Sequence, residues 1–165
     1  MTLAVKAPDA CSSDEIKDFL ELVGQGEEVE PGGLAGRVRK AAALVFLHVD
    51  NQLAGVAALK NPNDGYRSSV FRKAATETPA NEFPFEVGWV FILQRYRGKR
   101  LSRKLVEAAL SRSEARPVFA TSRADNKAMH RTLSACGFSR EGTAYASDMS
   151  NQLLELFTLR QHPTD

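Results

Sequence analysis

The sequence predicts an α/β fold on a mixed sheet, and three observations carry that reading. Phe85 to Leu110 reads as strand, basic turn and helix. Phe85, Val87, Trp89, Val90, Phe91, Ile92 and Leu93 are the aromatic and β-branched run of a strand buried on both faces. Leu101, Leu105, Val106, Ala109 and Leu110 recur at i, i+4, i+5, i+8 and i+9, one face of a helix. Second, the apolar runs Leu44–Val49 and Leu53–Leu59 meet at Asp50-Asn51, an antiparallel hairpin. Third, the elements read β, α, α, β, β, β, α, β, α, β, β, an α/β layout. At 165 residues and 18.1 kDa the chain suits one domain spanning residues 1–165, with enough length for a sizeable core.

Taken in order, Leu3–Ala7 is a short strand ended by Pro8. Ser12-x-x-Glu15 is a capping box ahead of Ile16, Phe19, Leu20 and Val23, and Gly24 and Gly26 stop that helix. A loop over residues 27–33 leads to a second helix facing inward through Leu34, Val38, Ala41 and Ala42. From Asn61 to Asn81 the pattern fails: Asn61, Pro62, Asn63, Asp64 and Gly65 are turn formers, and Val70 and Phe71 suit a short helix. A stretch this long without pattern inside a compact fold is usually functional or disordered. Beyond the central unit, Val118–Thr121 is a strand and Asn126–Cys136 a helix with Met129, Leu133 and Cys136 inward, closed by Gly137. Thr143–Ser147 and Leu153–Leu159 are the last strands.

The net charge of +2 does not imply a nucleic-acid partner. Charge is uneven, however. Six of the ten residues from Arg95 to Lys104 are basic, while Asp14, Glu15, Asp18, Glu21, Glu27, Glu28 and Glu30 face Lys17 alone. One region suits a polyanion and the other a cation. Cys11 and Cys136 lie far apart without metal-ligand spacing, so no metal is expected and isolated thiols fit a reducing cytoplasm. No signal-peptide core opens the chain, and no apolar run approaches the ~20 residues of a membrane span.

Arg95-Tyr96-Arg97-Gly98-Lys99-Arg100 lies between strand and helix. The unpaired N–H groups and dipole of a helix start attract anions, and arginine and lysine strengthen that field. The unit is therefore a receptor for a phosphorylated ligand. It resembles the acetyl-CoA-binding motif of the GNAT superfamily of N-acetyltransferases, roughly Val-x-Pro-x-x-Arg-Gly-x-Gly-Leu-Gly/Ala/Ser. Ile92 stands for Val and Gln94 for Pro; Arg97-Gly98-Lys99 match, and Leu101 and Ser102 are accepted variants. Arg100 replaces the glycine that lets the backbone approach pyrophosphate, and must avoid a positive φ or tolerate it at a cost. Asn126 to Phe138 is similar to the second signature, Asn-x-x-Ala/Ser-x-x-x-Tyr/Leu-x-x-x-Gly-Phe. The element order also agrees from end to end.

The resemblance implies a single-domain GNAT-like fold, with a mixed, mostly antiparallel sheet flanked by helices. It also implies acetyl transfer from acetyl-CoA to a primary amine by direct attack in a ternary complex. Val90, Phe91 and Ile92 should offer backbone groups to the pantetheine arm and the thioester carbonyl. The turn with Arg97, Gly98, Lys99, Arg100, Leu101, Ser102 and Arg103 should hold pyrophosphate, and Asn126 should touch the pantetheine end or a bridging water. Glu86 takes the family's acidic position and is expected to be the base, an isolated carboxylate between Phe85, Val87 and Trp89. The phenol that many members use as general acid is replaced by Leu133, which leaves Tyr145 as the expected acid. His48 reads as a half-buried strand residue and His130 as solvated. The acceptor, a small-molecule or protein amine, is not legible; residues 24–33 and 61–81 should shape its pocket. A homodimer stays open.

Two other classes compete. Arg100 and Leu133 fit a CoA-binding sensor without turnover. A nucleic-acid module would use Arg95 to Lys104, but no row of interleaved aromatics accompanies the charge, which makes nucleic acid the weaker reading.

Overall fold

The computed structural model describes residues 1–26 and 29–161. Its elements are β1 (Thr2–Lys6), α1 (Ser13–Gly24), α2 (Leu34–Arg39), β2 (Ala43–Val49), β3 (Gln52–Lys60), α3 (Asp64–Lys73), β4 (Phe85–Ile92), α4 (Leu101–Leu110), β5 (Val118–Arg123), α5 (Lys127–Ala135), β6 (Ser139–Ala146) and β7 (Leu153–Leu159). They form a seven-stranded sheet ordered β1-β2-β3-β4-β5-β7-β6. β4 and β5 run parallel, and the other neighbours pair antiparallel. The mixed, mostly antiparallel sheet flanked by helices is therefore the fold that the sequence implied.

Both faces of the sheet are covered, which is why its middle strands read as unbroken apolar runs. In β2, Ala43, Val45 and Leu47 join the core under α4, while Leu44 and Phe46 join the core under α1 and α2. The period-2 alternation is present, but both phases are apolar. The face of α4 is the expected one, with Leu101, Leu105, Val106 and Ala109 buried. The box at the start of α1 closes in both directions: Glu15 N–H donates to Ser12 Oγ at 3.1 Å, and Ser12 N–H to Glu15 Oε1 at 3.0 Å.

Three local readings change. Residues 61–81 hold a ten-residue helix, α3, where the sequence suggests mainly loop. Asn63 Oδ1 caps it by accepting from Tyr66 N–H at 2.8 Å, and Val70 and Phe71 bury against Phe83 and Phe119. Polar residues surround that short apolar patch, so helical periodicity is weak. β6 begins at Ser139, four residues earlier than Thr143, because an edge strand carries little apolar signal. His130 is not solvated: its ring packs at 5.0 Å on Phe157, and Nε2 lies 2.9 Å from the Arg123 carbonyl.

The docking of α3 depends on Gly142. There φ is +66°, and a Cβ would lie 2.0 Å from the Ala74 carbonyl oxygen, which accepts from Thr143 N–H at 2.8 Å. An irregular register between Glu141 and Tyr145 brings β6 close enough for this contact.

Candidate functional site

The site begins where β4 leaves its parallel neighbour. Only Phe85↔Val118 and Glu86↔Phe119 pair across β4 and β5. On the β3 side, Ala58 pairs with Gly88 and Val56 with Phe91, so Trp89 and Val90 together face Ala57. This bulge places Trp89 at φ +51°, an uncommon conformation for a bulky residue. The bulge bends β4 and the strands diverge. Beyond Glu86 the edge of β4 facing β5 lacks a partner strand, among the described residues, and borders a cavity of about 730 Å³.

One end of the cavity is basic. A tight turn over Gln94–Tyr96 leads through Gly98, at φ +80°, and Arg100, at φ +57° and ψ +26°, into α4. Arg100 thus takes the left-handed conformation in spite of its Cβ, at a cost of about 1–2 kcal/mol. Arg97 Nε donates to the Ile92 carbonyl at 2.9 Å, and its guanidinium lies 5.5 Å from the Phe91 ring centre. Val90, Phe91, Ile92 and Arg97 line the cavity, as do Gly98, Arg100, Leu101 and Ser102. Ser102 Oγ lies 2.9 Å from Thr132 Oγ1 and ties α4 to α5. Asn126 also lines the cavity and caps α5, its Oδ1 accepting from Met129 N–H at 3.1 Å. Lys99 and Arg103 are not in the wall; Arg103 Nε instead pairs with Glu107 on the exposed flank of α4 at 2.7 Å.

The other end is built around Glu86, which is 2% exposed. The isolated carboxylate expected from its apolar neighbours is not what the structure holds. Lys60 Nζ lies 2.6 Å from Glu86 Oε1, and the Tyr66 hydroxyl donates to Oε2 at 2.7 Å. The sequence reading missed both partners. The Lys60↔Glu86 register was available once β3 and β4 were paired, but Tyr66 lies in the patternless stretch and carries no signal of its own. The ammonium of Lys60 also sits 4.5 Å from the Trp89 ring centre. As a residue Tyr66 is 40% exposed, yet its hydroxyl turns inward onto Glu86. Withdrawal of that hydroxyl from solvent, and then the charge of Glu86, push its pKa well above the ordinary phenol value.

Tyr145 is absent from the cavity wall. It is 9% exposed and packs with Phe71, Phe119 and Leu156 in the core beneath α3. Leu133, 1% exposed, lines the cavity from α5. Gln25, Gly26 and Val29 contribute from the loop after α1, and Tyr66 from α3, so both segments expected at an acceptor pocket reach the cavity. Glu27 and Glu28 of the acidic run lie outside the described residues.

A splayed strand pair, a basic helix start and a buried carboxylate share one cavity, and the family match makes the chain an acyltransferase of the acetyl-CoA-dependent class. The sequence profile of the acetyltransferase (GNAT) family matches residues 12–138, and the chain belongs to that family. No curated protein matches the chain. Solved structures share the fold. ElaA of Escherichia coli is 14% identical, with a TM-score of 0.69 over 95% of this chain and 97% of its own. An acyl-CoA N-acyltransferase from Pseudomonas aeruginosa is 19% identical, with a TM-score of 0.69 over 95% and 97%. The yncA protein of Salmonella typhimurium, solved with its cofactor acetyl-CoA, is 13% identical, with a TM-score of 0.66 over 100% and 98%. Among the described residues no helix is long and apolar enough to cross a membrane.

Proposed function

We propose that the chain, as one N-acetyltransferase domain, transfers the acetyl group of acetyl-CoA to a primary amine by direct attack in a ternary complex. The observation that carries this reading is the parting of β4 from β5 at Glu86, because it puts an unpartnered strand edge, a basic helix start and a buried carboxylate on one cavity. Arg97, Gly98, Arg100, Leu101 and Ser102 line a basic turn whose left-handed residues Gly98 and Arg100 lead into the start of α4, where unpaired N–H groups and the helix dipole favour an anion. Lys99 and Arg103 add to the field from outside the wall. The backbone of Val90, Phe91 and Ile92 offers hydrogen bonds to an extended pantetheine arm and to the carbonyl that gains charge during transfer. Asn126 borders the far wall.

Removal of a proton from the acceptor ammonium falls to Glu86. Tyr66 orients that carboxylate. A phenol whose pKa is raised is a poor proton donor to a leaving thiolate, so Tyr66 is read as a positioning residue. Tyr145 has no part in this proposal, because it does not line the cavity; it packs in the core with Phe71 and Phe119, and its charge reaches the site through Tyr66. One observation favours the alternative of a CoA-binding domain without turnover: Lys60 already occupies the carboxylate that an acceptor would need.

Thermal unfolding with acetyl-CoA, CoA and ATP, followed by thiol release over a panel of amines, separates the two. Stabilisation by acetyl-CoA that is reduced in Arg97→Glu, together with amine-dependent thiol release, supports transfer. Stabilisation without release on any amine supports the sensor. An unchanged unfolding curve removes both.

A further inference from the structure

Lys60 is the one lysine, among the described residues, in the wall of this cavity. It ends β3 directly across from Glu86, and its stem crosses β4 over Gly88. A Cβ at Gly88 would lie 2.7 Å from Lys60 Cδ and 3.5 Å from Nζ, so the missing side chain at position 88 is what allows the lysine to reach across the strand. The ammonium ends between three groups: Glu86 Oε1 at 2.6 Å, the Trp89 ring centre at 4.5 Å and the Tyr66 ring centre at 5.8 Å. These neighbours are those an acceptor amine needs, a carboxylate to take its proton and aromatic faces to hold its charge. They adjoin the bulge at Trp89 and Val90, which lies within the edge of β4 left unpartnered beyond Glu86.

We propose that Lys60 is itself an acetyl acceptor, modified within its own molecule by the donor in the cleft; this rests on the acetyl-donor reading of the cavity. Glu86 takes one proton from the Lys60 ammonium. The freed Nζ attacks the thioester carbonyl carbon, an N–C bond forms, the C–S bond breaks, and CoA leaves as a thiolate. Of the two protons shed by nitrogen, one ends on the thiol sulfur and the other is released to solvent. The product is an amide, too stable to pass its acetyl group onward, so the event happens once per chain. It removes a positive charge from the cavity and frees Glu86 of its ion pair.

The test uses the unmodified full chain incubated with acetyl-CoA and followed by intact mass and peptide mapping, beside thermal unfolding with the same ligand. The expected result is one acetyl group per chain, on Lys60, gained at a rate independent of chain concentration. Glu86→Gln should slow it about a hundredfold. Acetyl phosphate, which needs no CoA cradle, should instead label exposed lysines such as Lys17 and Lys104. Thermal stabilisation by acetyl-CoA with Lys60 unmodified, or acetylated no faster than Lys17, overturns this proposal and leaves the donor reading standing. A rate that rises with chain concentration shows transfer between molecules and overturns it as well. Neither stabilisation nor acetylation removes both readings.

Discussion

The basic end of the cavity comes from neighbours in sequence, Val90 to Ser102, whereas the carboxylate end joins Lys60, Tyr66 and Glu86 from a strand end, a helix and a second strand. The first is a local electrostatic device, complete as soon as a strand, a turn and a helix start exist. The second exists only when β3 and β4 are in register and α3 is docked. Perturbing the basic end should therefore change ligand affinity with little effect on folding. Perturbing the carboxylate end should couple turnover to stability.

The sharpest contrast is expected from Glu86→Gln, which keeps shape and can still accept from Tyr66. Turnover on a verified acceptor should fall about a hundredfold, with acetyl-CoA affinity unchanged, and the defect should shrink at high pH, where the amine loses its proton unaided. Normal turnover at pH 7 would make Glu86 structural and hand the role of base to another group.

Gly142→Ala acts on the same end from a distance. The added Cβ meets the Ala74 carbonyl at 2.0 Å on a backbone with φ +66°. A loss of about 1–3 kcal/mol is expected in denaturant unfolding. Turnover should fall through displacement of Tyr66, again without loss of acetyl-CoA affinity. Unimpaired turnover in a folded variant would show that the placement of α3 does not matter to Glu86.

At the basic end, Arg100→Glu should weaken acetyl-CoA about tenfold, the scale of one charge-assisted hydrogen bond. Arg100→Gly should bind almost as the parent does and gain about 1 kcal/mol of stability by releasing left-handed strain. Equal affinities in all three proteins would place the side chain away from the ligand.

Tyr66→Phe carries the smallest expected effect. The fold favours the protonated phenol, so this stabilisation is intact below the ordinary tyrosine pKa of about 10 and is lost as pH climbs past it. The parent should lose more stability than the variant above about pH 10. Matching pH profiles would mean that the hydroxyl is no better withdrawn from water than in the unfolded chain.

What could be read from residues alone follows the same division. The strand Phe85–Ile92, the helix Leu101–Leu110 and the caps at Ser12 and Gly137 depend on neighbours a few positions apart, and they lie where the patterns place them. Glu86 is identifiable as a buried carboxylate, but its partners lie 26 and 20 residues away: Lys60 meets it through the register of β3 on β4, and Tyr66 only through the docking of α3. Arg103 was assigned to the cradle from its place in a basic run; its pairing with Glu107 four residues on draws it along the helix surface. His130 was read by helical face, and what that face meets is β7, through Phe157. Tyr145 stands out in the sequence only as a phenol; it packs with Phe71 of α3 in the core and does not line the cavity.

The sheet order β5-β7-β6 sets a schedule for synthesis from the N-terminus. Residues 85–126, with the whole basic end, leave the ribosome before β7 exists. Until residues 153–159 emerge, β5 has an open edge on the side away from β4, and β6, made earlier, has no strand beside it. The last strand wedges between two that have waited for it. Its insertion completes the layer on which Phe71 of α3 rests, through Leu156 beside Phe119. A nascent chain can thus complete its anion cradle while the support beneath Tyr66 is still inside the exit tunnel.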